Sequence, residues 1–125
     1  MRFSCYLGAM ASTQVSPAPD LALASARFFR VLGDPTRLRI LELLLERPHT
    51  VSELVEATGT GQGRVSNHLA CLRWCRFVES ERNGRQVTYR VADPRLGGLL
   101  EQAEELTRDH CGHLASCRRI GPEWI

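Results

Sequence analysis

Three features of the sequence predict a mainly α-helical domain with one β-hairpin. Apolar residues recur at helical spacing in five segments, a short glycine-containing turn joins two of these helices, and an Asn-Gly pair separates two strand-like segments. Four helices, a hairpin and a last helix in this order predict a winged helix-turn-helix. The chain has 125 residues, of which 43% are hydrophobic, and this is enough for one such domain with its own core.

The first two predicted helices cover residues 21–32 and 35–46. The apolar stripe of the first helix consists of Leu21, Ala24, Phe28, Val31 and Leu32. Gly33 is expected to cap its C-terminus, Asp34 to cap the N-terminus of the second helix, and Pro35 to take that helix's first position. The core face of the second helix consists of Leu38, Leu41, Leu44 and Leu45.

The helix-turn-helix is predicted in residues 50–75. A short helix over 50–58, capped by Thr50 or Ser52, is followed by a glycine-rich turn and a longer helix over 61–75. The hydroxyl of Thr60 in that turn is expected to cap the longer helix. The side chains expected to face the core are Leu54 and Val55 in the short helix and Val65, Leu69 and Leu72 in the longer one.

A hairpin and a last helix complete the domain. Strands are predicted over 77–81 and 86–91, joined by the loop R-N-G-R at 82–85. Asp93 and Pro94 open the last helix, whose apolar face consists of Leu96, Leu99, Leu100, Ala103 and Leu106. Because this stripe exceeds what a lone terminal helix needs, we expect the first and last helices to pack against a second subunit and form a homodimer.

The sequence predicts less regular segments on both sides of this domain, which we place at 21–109. Residues 1–20, with two prolines among Ser, Thr and Gln, are expected to form a flexible N-terminal arm. Residues 110–125 form a tail that contains His110, Cys111, His113 and Cys117. No apolar run approaches the roughly 20 residues of a membrane span, and the first ten residues are too irregular for a signal peptide. We therefore expect a cytoplasmic protein without a membrane partner.

The distribution of charge predicts a nucleic-acid surface in the middle of the chain. Residues 60–90 contain six Arg and two Glu, whereas residues 96–109 contain four acidic residues and one Arg. A basic region beside an acidic helix indicates one face for DNA and another face for a different contact. All 16 basic residues are Arg, which suits phosphate contact and is also typical of a GC-rich genome.

Polar side chains crowd the start of the longer helix of the helix-turn-helix. The residues expected to enter the major groove there are Gln62, Arg64, Ser66 and Asn67, with His68 next to them. His68 lies one turn before Cys71, so it is also a candidate metal ligand. Arg82 and Arg85 at the hairpin tip are expected to meet phosphate or the minor groove. The alternative is that all of these are ordinary solvated side chains.

Two of the five cysteines lie one helical turn apart on the same helix. Positions four apart on a helix differ by roughly 40° and place their Cβ atoms roughly 5–6 Å apart, so Cys71 and Cys75 can close on one soft ion. A direct disulfide needs a shorter Cβ separation, and five cysteines without a secretion signal argue against a disulfide framework. The alternative is that both thiols only pack at the helix end.

The sequence resembles the ArsR/SmtB family of metalloregulatory repressors. The residues that carry the resemblance are L-G-D-P-T-R-L-R-I-L (32–41), V-S-E-L (51–54), V-S-N-H-L-A-C-L-R (65–73) and G-R-Q-V-T-Y-R-V (84–91). The resemblance implies a winged helix-turn-helix homodimer that binds double-stranded operator DNA without metal and releases it when metal binds. It also implies that His68 packs against DNA or the core rather than binding metal.

Within the family, the cysteine placement is similar to that of the CmtR-type cadmium/lead sensors. There, two Cys one turn apart on the recognition helix join a third Cys from the C-terminal region of the other subunit. Cys71 and Cys75 match that pair, while the third ligand is either Cys117, which lies nearest to the expected position, or Cys111. The resemblance implies a soft inducer ion, Cd²⁺ or Pb²⁺ first, with Hg²⁺ or As(III) also suited to three sulfur ligands.

The same residues allow other interpretations. The Cys-x-Cys of the family's arsenic/cadmium type is absent from 51–55, and Asp109, His110 and His113 make only a partial set for its zinc type. A thiol redox or persulfide sensor using Cys111 and Cys117, or a constitutive DNA-binding protein with packed cysteines, would have the same fold. An enzyme is not predicted, because the chain has no phosphate loop and no nucleophile beside a base.

Overall fold

The computed structural model describes residues 18–118, and its helices and strands follow the predicted order with two additions. The elements are α1 Leu21–Leu32, α2 Pro35–Glu46, β1 His49–Thr50, α3 Val51–Thr58, α4 Gln62–Trp74, β2 Val78–Asn83, β3 Gln86–Val91, α5 Arg95–Arg108 and α6 Cys111–Ser116. The predicted winged helix-turn-helix is confirmed. The additions are the two-residue strand β1, which the sequence did not predict, and α6, in the predicted tail 110–125.

Parts of the two predicted terminal segments lie outside the described residues. These parts are 1–17 of the N-terminal arm, including Cys5, and 119–125 of the tail. Within residues 18–118, no helix is long and apolar enough to cross a membrane.

The three strands form one antiparallel sheet in the order β1-β3-β2. Strands β2 and β3 pair from Val78 opposite Val91 to Asn83 opposite Gln86, so the loop is shorter than the predicted 82–85. Gly84 has a φ of +64°, while Arg85 keeps a negative φ. This matches a two-residue turn with glycine in its first position, and the Asn of the Asn-Gly pair therefore belongs to the strand.

Side-chain caps fix where three of the helices begin. The carboxylates of Asp20 and Asp34 accept hydrogen bonds from the backbone N–H groups of Leu23 and Arg37. Thr50 caps α3 in a reciprocal capping box with Glu53. Each cap satisfies backbone donors that a helix start would otherwise leave unpaired.

The predicted cap of α4 is wrong. Gly61, not Thr60, is its N-cap residue, and no side-chain hydrogen bond caps the helix. Gly59, with a φ of +69°, turns the chain after α3, and the N–H of Thr60 then donates to the Thr58 hydroxyl. Thr60 thus belongs to the turn, one residue too early to cap α4.

The core lies between α2, α3 and α4 and is closed by α5 and the start of β2. The predicted stripe on α4 is confirmed, since Val65, Leu69 and Leu72 are at most 1% exposed. On α2 the fully buried side chains include Ile40, which the predicted face omitted, while Leu38 and Leu45 are half-buried. The buried core residues are Leu32, Ile40, Leu41, Leu44, Leu54, Val65, Leu69, Leu72, Phe77, Val78, Leu96 and Leu100.

Candidate functional site

Helix α4 separates a buried apolar side from an exposed polar side. The predicted groove-facing residues are all exposed: Gln62, Arg64, Ser66 and Asn67. The backbone N–H groups of the first turn also lack a side-chain cap, and such groups favour negative charge nearby. The N-terminal half of α4 therefore presents donors, acceptors and one cation on a rigid element.

His68 differs from these neighbours because its side chain is only 14% exposed. Its Nδ1 accepts a hydrogen bond of 3.1 Å from Nε of Arg37. The ring proton therefore belongs on Nε2, which lies 3.7 Å from a carboxylate oxygen of Asp34. Both ring nitrogens of His68 thus face other side chains of the protein. These contacts help to fix the orientation of α4.

Arg37 has a structural role that its place in the sequence does not predict. Besides His68, its guanidinium donates to the backbone carbonyl of Val31 at the end of α1. One side chain on α2 thus ties together α1, α2 and α4. Arg37 lies in the motif run 32–41, but no spacing rule predicts a contact with a residue 31 positions away.

The hairpin tip carries two exposed arginines, Arg82 and Arg85. Neither has an ion-pair partner within the described range 18–118. Arg90 on β3 differs, because it donates to Glu79 at 3.0 Å and to Glu81 at 3.2 Å. The uncompensated positive charge of the hairpin is therefore concentrated at its tip.

Cys71 and Cys75 are brought together at the C-terminal end of α4. The N–H of Cys75 donates to the carbonyl of Cys71 at 3.0 Å, so the helical spacing holds through the cap residue. Burial and the adjacent Cys71 thiol raise the pKa of the Cys75 thiol, and the charge of Arg37 opposes this. Both thiols are half-buried, and together they offer two soft ligands in one place.

The chain reverses immediately after the thiol pair. Arg76 has a φ of +65°, its N–H donates to the carbonyl of Arg73, and the N–H of Phe77 donates to that of Leu72. This is a Schellman motif, and the two residues that it joins, Leu72 and Phe77, both belong to the buried core. The motif ends α4 next to Cys75, although a left-handed conformation costs an arginine about 1–2 kcal/mol relative to glycine.

The two other described cysteines lie at the ends of α6, away from this pair. Cys111 is exposed and Cys117 is half-buried. Within residues 18–118, no three His, Cys, Asp or Glu side chains are gathered so that they could hold a metal ion. The thiol pair could supply two ligands to a soft ion, and the described residues place no third sulfur beside it.

Comparison with known proteins supports the family resemblance that the sequence motifs indicate. The model of the bacterial regulatory protein family arsR matches residues 34–80. The probable mercury resistance operon repressor of Streptomyces lividans is 40% identical over 124 residues, which cover 98% of this chain and 97% of that protein. The HTH-type transcriptional regulator CmtR of Mycobacterium bovis is 46% identical over 77 residues, which cover 62% of this chain and 65% of that protein.

A solved structure supports the fold. The homodimeric winged helix-turn-helix DNA-binding domain of Mb0332 from Mycobacterium bovis has a TM-score of 0.65 and 27% identity, covering 78% of this chain and 94% of that chain.

Fold and sequence together define a DNA-binding transcriptional regulator and not an enzyme. The chain belongs to the arsR family of bacterial regulatory proteins, the ArsR/SmtB-type transcriptional repressors.

Proposed function

We propose that this protein is a metal-responsive repressor that binds operator DNA as a metal-free homodimer and releases it when a soft thiophilic ion binds. The observation that carries the proposal is the position of the thiol pair. Cys71 and Cys75 occupy the C-terminal end of the same helix whose N-terminal half exposes Gln62, Arg64 and Asn67. A change at one end of a rigid helix alters the pose of the other end.

The proposed DNA surface consists of the exposed half of α4 and the hairpin tip. Arg64 can bond guanine edges, and Gln62 and Asn67 can bond adenine edges, in the major groove. The arginines of the hairpin tip, Arg82 and Arg85, would hold phosphate or enter the minor groove. His68 is half-buried behind this surface, so its part in DNA binding would be to orient α4.

The proposed inducer is Cd²⁺ or Pb²⁺, with Hg²⁺ and As(III) also compatible with the ligands. Thiolates select soft ions over Mg²⁺ and Ca²⁺. The resemblance of the Cys pair to the CmtR type supports Cd²⁺ or Pb²⁺, and the name of the Streptomyces lividans relative supports Hg²⁺. The raised pKa of Cys75 means that binding an ion must displace a proton from this thiol.

The third ligand is proposed to come from the tail of the partner subunit, Cys117 first and Cys111 second. The absence of a third ligand near the pair within residues 18–118 favours a shared site. The exposed apolar residues of α1 and α5 support a dimer through these helices: Leu21, Leu23, Phe29 and Leu106. The homodimeric structure of the Mycobacterium bovis neighbour supports the same arrangement.

No observation favours the thiol redox alternative within one chain. Cys111 and Cys117 lie six residues apart across α6, which corresponds to roughly 9 Å along the helix axis. Disulfides require Cα atoms within about 7 Å. A bridge between these two residues would therefore need the helix to unwind.

The proposal is tested by titrating the reduced, metal-free dimer with each ion and following the ultraviolet absorption of thiolate-metal bonds. We expect one ion per proposed site and a loss of affinity of about 10-fold or more in Cys71→Ser, Cys75→Ser and Cys117→Ser. Cys111→Ser should bind nearly as tightly if Cys117 is the third ligand, and the reverse result would assign that role to Cys111. Unchanged binding in Cys71→Ser and Cys75→Ser would refute the proposed site.

A further inference from the structure

Trp74 is the most exposed large hydrophobic side chain among the described residues, with 87% of its surface accessible. It lies beside an open depression of about 420 Å³ that is lined by Ala70, Arg73, Trp74 and Arg76, which we call the Trp74 patch. Neither arginine has an ion-pair partner within residues 18–118. The patch thus joins an exposed indole to two uncompensated positive charges, which is typical of an interaction surface.

Arg76 occupies a backbone conformation that favours glycine. Its φ is +65°, and among the described residues it is the one non-glycine residue with a positive φ. Such a conformation is unfavourable for a residue with a Cβ atom. The hydrogen bonds that end α4 here use backbone groups, which a glycine would supply equally well. The fold therefore needs the conformation but not the guanidinium, and strained residues of this kind cluster at functional sites.

The Trp74 patch continues the exposed side of α4 on which the proposed DNA-reading residues lie. Ser66, Ala70 and Arg73 are all exposed, and they differ by at most about 60° around the helix axis. Arg73 lies about 14 Å beyond Arg64 along that axis, slightly more than the roughly 12 Å width of the major groove. A helix whose first turns enter the groove would therefore carry Arg73 to the rim of the groove, where the phosphates lie.

We propose that the Trp74 patch binds the sugar–phosphate backbone of operator DNA at the rim of the groove that α4 enters. The inference rests on the DNA surface of the proposed function and extends that surface to the C-terminal end of α4. The guanidinium groups of Arg73 and Arg76 would each neutralise a phosphate. The indole of Trp74 would pack on deoxyribose and donate its N–H to a phosphate oxygen. Contacts of this kind position a protein on the duplex without reading its sequence.

Fluorescence quenching of Trp74 tests the contact with DNA directly. The chain has two tryptophans, so Trp124→Phe leaves Trp74 as the single reporter. We expect acrylamide to quench Trp74 of the metal-free protein at least about twofold less with DNA from upstream of its own gene than without DNA, because backbone contact excludes solvent from the indole. Equal quenching of the free and the DNA-bound protein would overturn the proposal. An indole already shielded in the free dimer would also overturn it, since the partner subunit would then cover the patch.

Arg76→Gly separates a contact with DNA from a role in the fold. Because glycine adopts a positive φ without strain, this variant should unfold at a higher urea concentration than the wild type, yet bind the upstream DNA more weakly. Arg73→Ala should weaken DNA binding as well. Each variant should reduce the magnitude of the slope of log K against log salt by about 1 for every phosphate contact that is lost, or about 2 per dimer. Unchanged affinity and slope in both variants would contradict the proposal.

Arg39→Ala is the matched control for the loss of one positive charge. Arg39 is exposed on α2, lies outside the patch and has no ion-pair partner in the described part of the chain, so its removal should leave the slope nearly unchanged. Arg64→Ala tests the proposed reading surface independently. DNA binding that is weakened in Arg64→Ala but not in the patch variants would refute the inference and leave the reading surface standing. The reverse result would support the patch and refute the reading surface.

Discussion

Among single residues, Arg37 has the widest structural role. Its guanidinium donates to His68 on α4 and to the carbonyl of Val31 at the end of α1. Both acceptors are partly buried, so neither can fully replace this donor with water. The pose of the helix proposed to read DNA thus depends on one half-buried arginine of another helix.

Replacing Arg37 by Gln is expected to destabilise the protein by about 1–3 kcal/mol, because the acceptors on Val31 and His68 lose their donor. Operator affinity should fall as well, since α4 loses its tie to α1 and α2. Urea unfolding and binding to operator DNA measure the two effects. Arg39→Gln is the control on the same helix and should stay within about 0.5 kcal/mol. Equal stability of the two variants would contradict this role for Arg37.

Asp93 is expected to contribute to the acid sensitivity of the fold. The side chain and backbone N–H of Arg95 donate to its carboxylate and lower its pKa from 3.8 to about 2. As the pH falls, the Asp93 carboxylate takes up a proton in the unfolded chain before it does so in the folded protein. The stabilisation of the fold by charged Asp93 is therefore present above pH 3.8 and is lost towards pH 2.

The stability of the wild type should therefore fall more steeply between pH 4 and pH 2 than that of Asp93→Asn, which has no proton to bind there. Unfolding by urea at a series of pH values measures both slopes. Identical slopes would show that the ion pair with Arg95 does not persist in solution.

At the scale of elements, the hairpin separates compensated from uncompensated charge. Arg90 is held by Glu79 and Glu81, whereas Arg82 and Arg85 at the tip have no such partner within residues 18–118. If the tip contacts phosphate, Arg82 and Arg85 displace counterions from the DNA on binding. Arg90 does not, because its charge is already paired with Glu79 and Glu81.

A plot of log K against log salt has a negative slope. Arg82→Ala and Arg85→Ala should each reduce the magnitude of this slope by about 1 for every phosphate that is no longer neutralised, or about 2 per dimer. Arg90→Ala should leave this slope nearly unchanged and serves as the matched control. Operator binding at several salt concentrations measures the slopes. A larger effect from Arg90→Ala than from the two tip variants would contradict the proposed contact.

The elements with strong local signals were predictable from the sequence. The bounds of α1 and α2, the buried stripe of α4, the cap Asp34 and the hairpin follow from periodicity and turn chemistry. Strand β1 was missed because two residues carry no periodicity, and it exists only through pairing with β3. The N-cap of α4 was predicted at Thr60 instead of Gly61, because Thr60 is a good capping residue and stands one position earlier.

The candidate site was less predictable than the fold, for a physical reason. A spacing of four along a helix placed Cys71 beside Cys75, as the structure also has it. The contacts of His68 with Arg37 and Asp34 join distant parts of the chain, which no local rule gives. The third ligand that we propose to come from another subunit lies beyond the reach of a single chain.

At the scale of the whole molecule, the proposed dimer lets two ligands compete through one helix. The soft ion would favour one pose of α4 and the operator another. By linkage, the operator must then weaken ion binding by the same factor by which the ion weakens operator binding. A coupling of about 1–3 kcal/mol, typical of allosteric proteins, corresponds to a change of about 5- to 150-fold in operator affinity.

The most direct test of the proposed metal response is the fluorescence anisotropy of DNA from upstream of the protein's own gene, bound by the reduced dimer. Cd²⁺, Pb²⁺, Hg²⁺, arsenite and Zn²⁺ are added separately to the wild type and to Cys75→Ser. We expect at least one of the soft species to release the DNA from the wild type, while Cys75→Ser stays bound. Retention of DNA with every ion, or equal release from Cys75→Ser, would contradict a thiolate metal sensor.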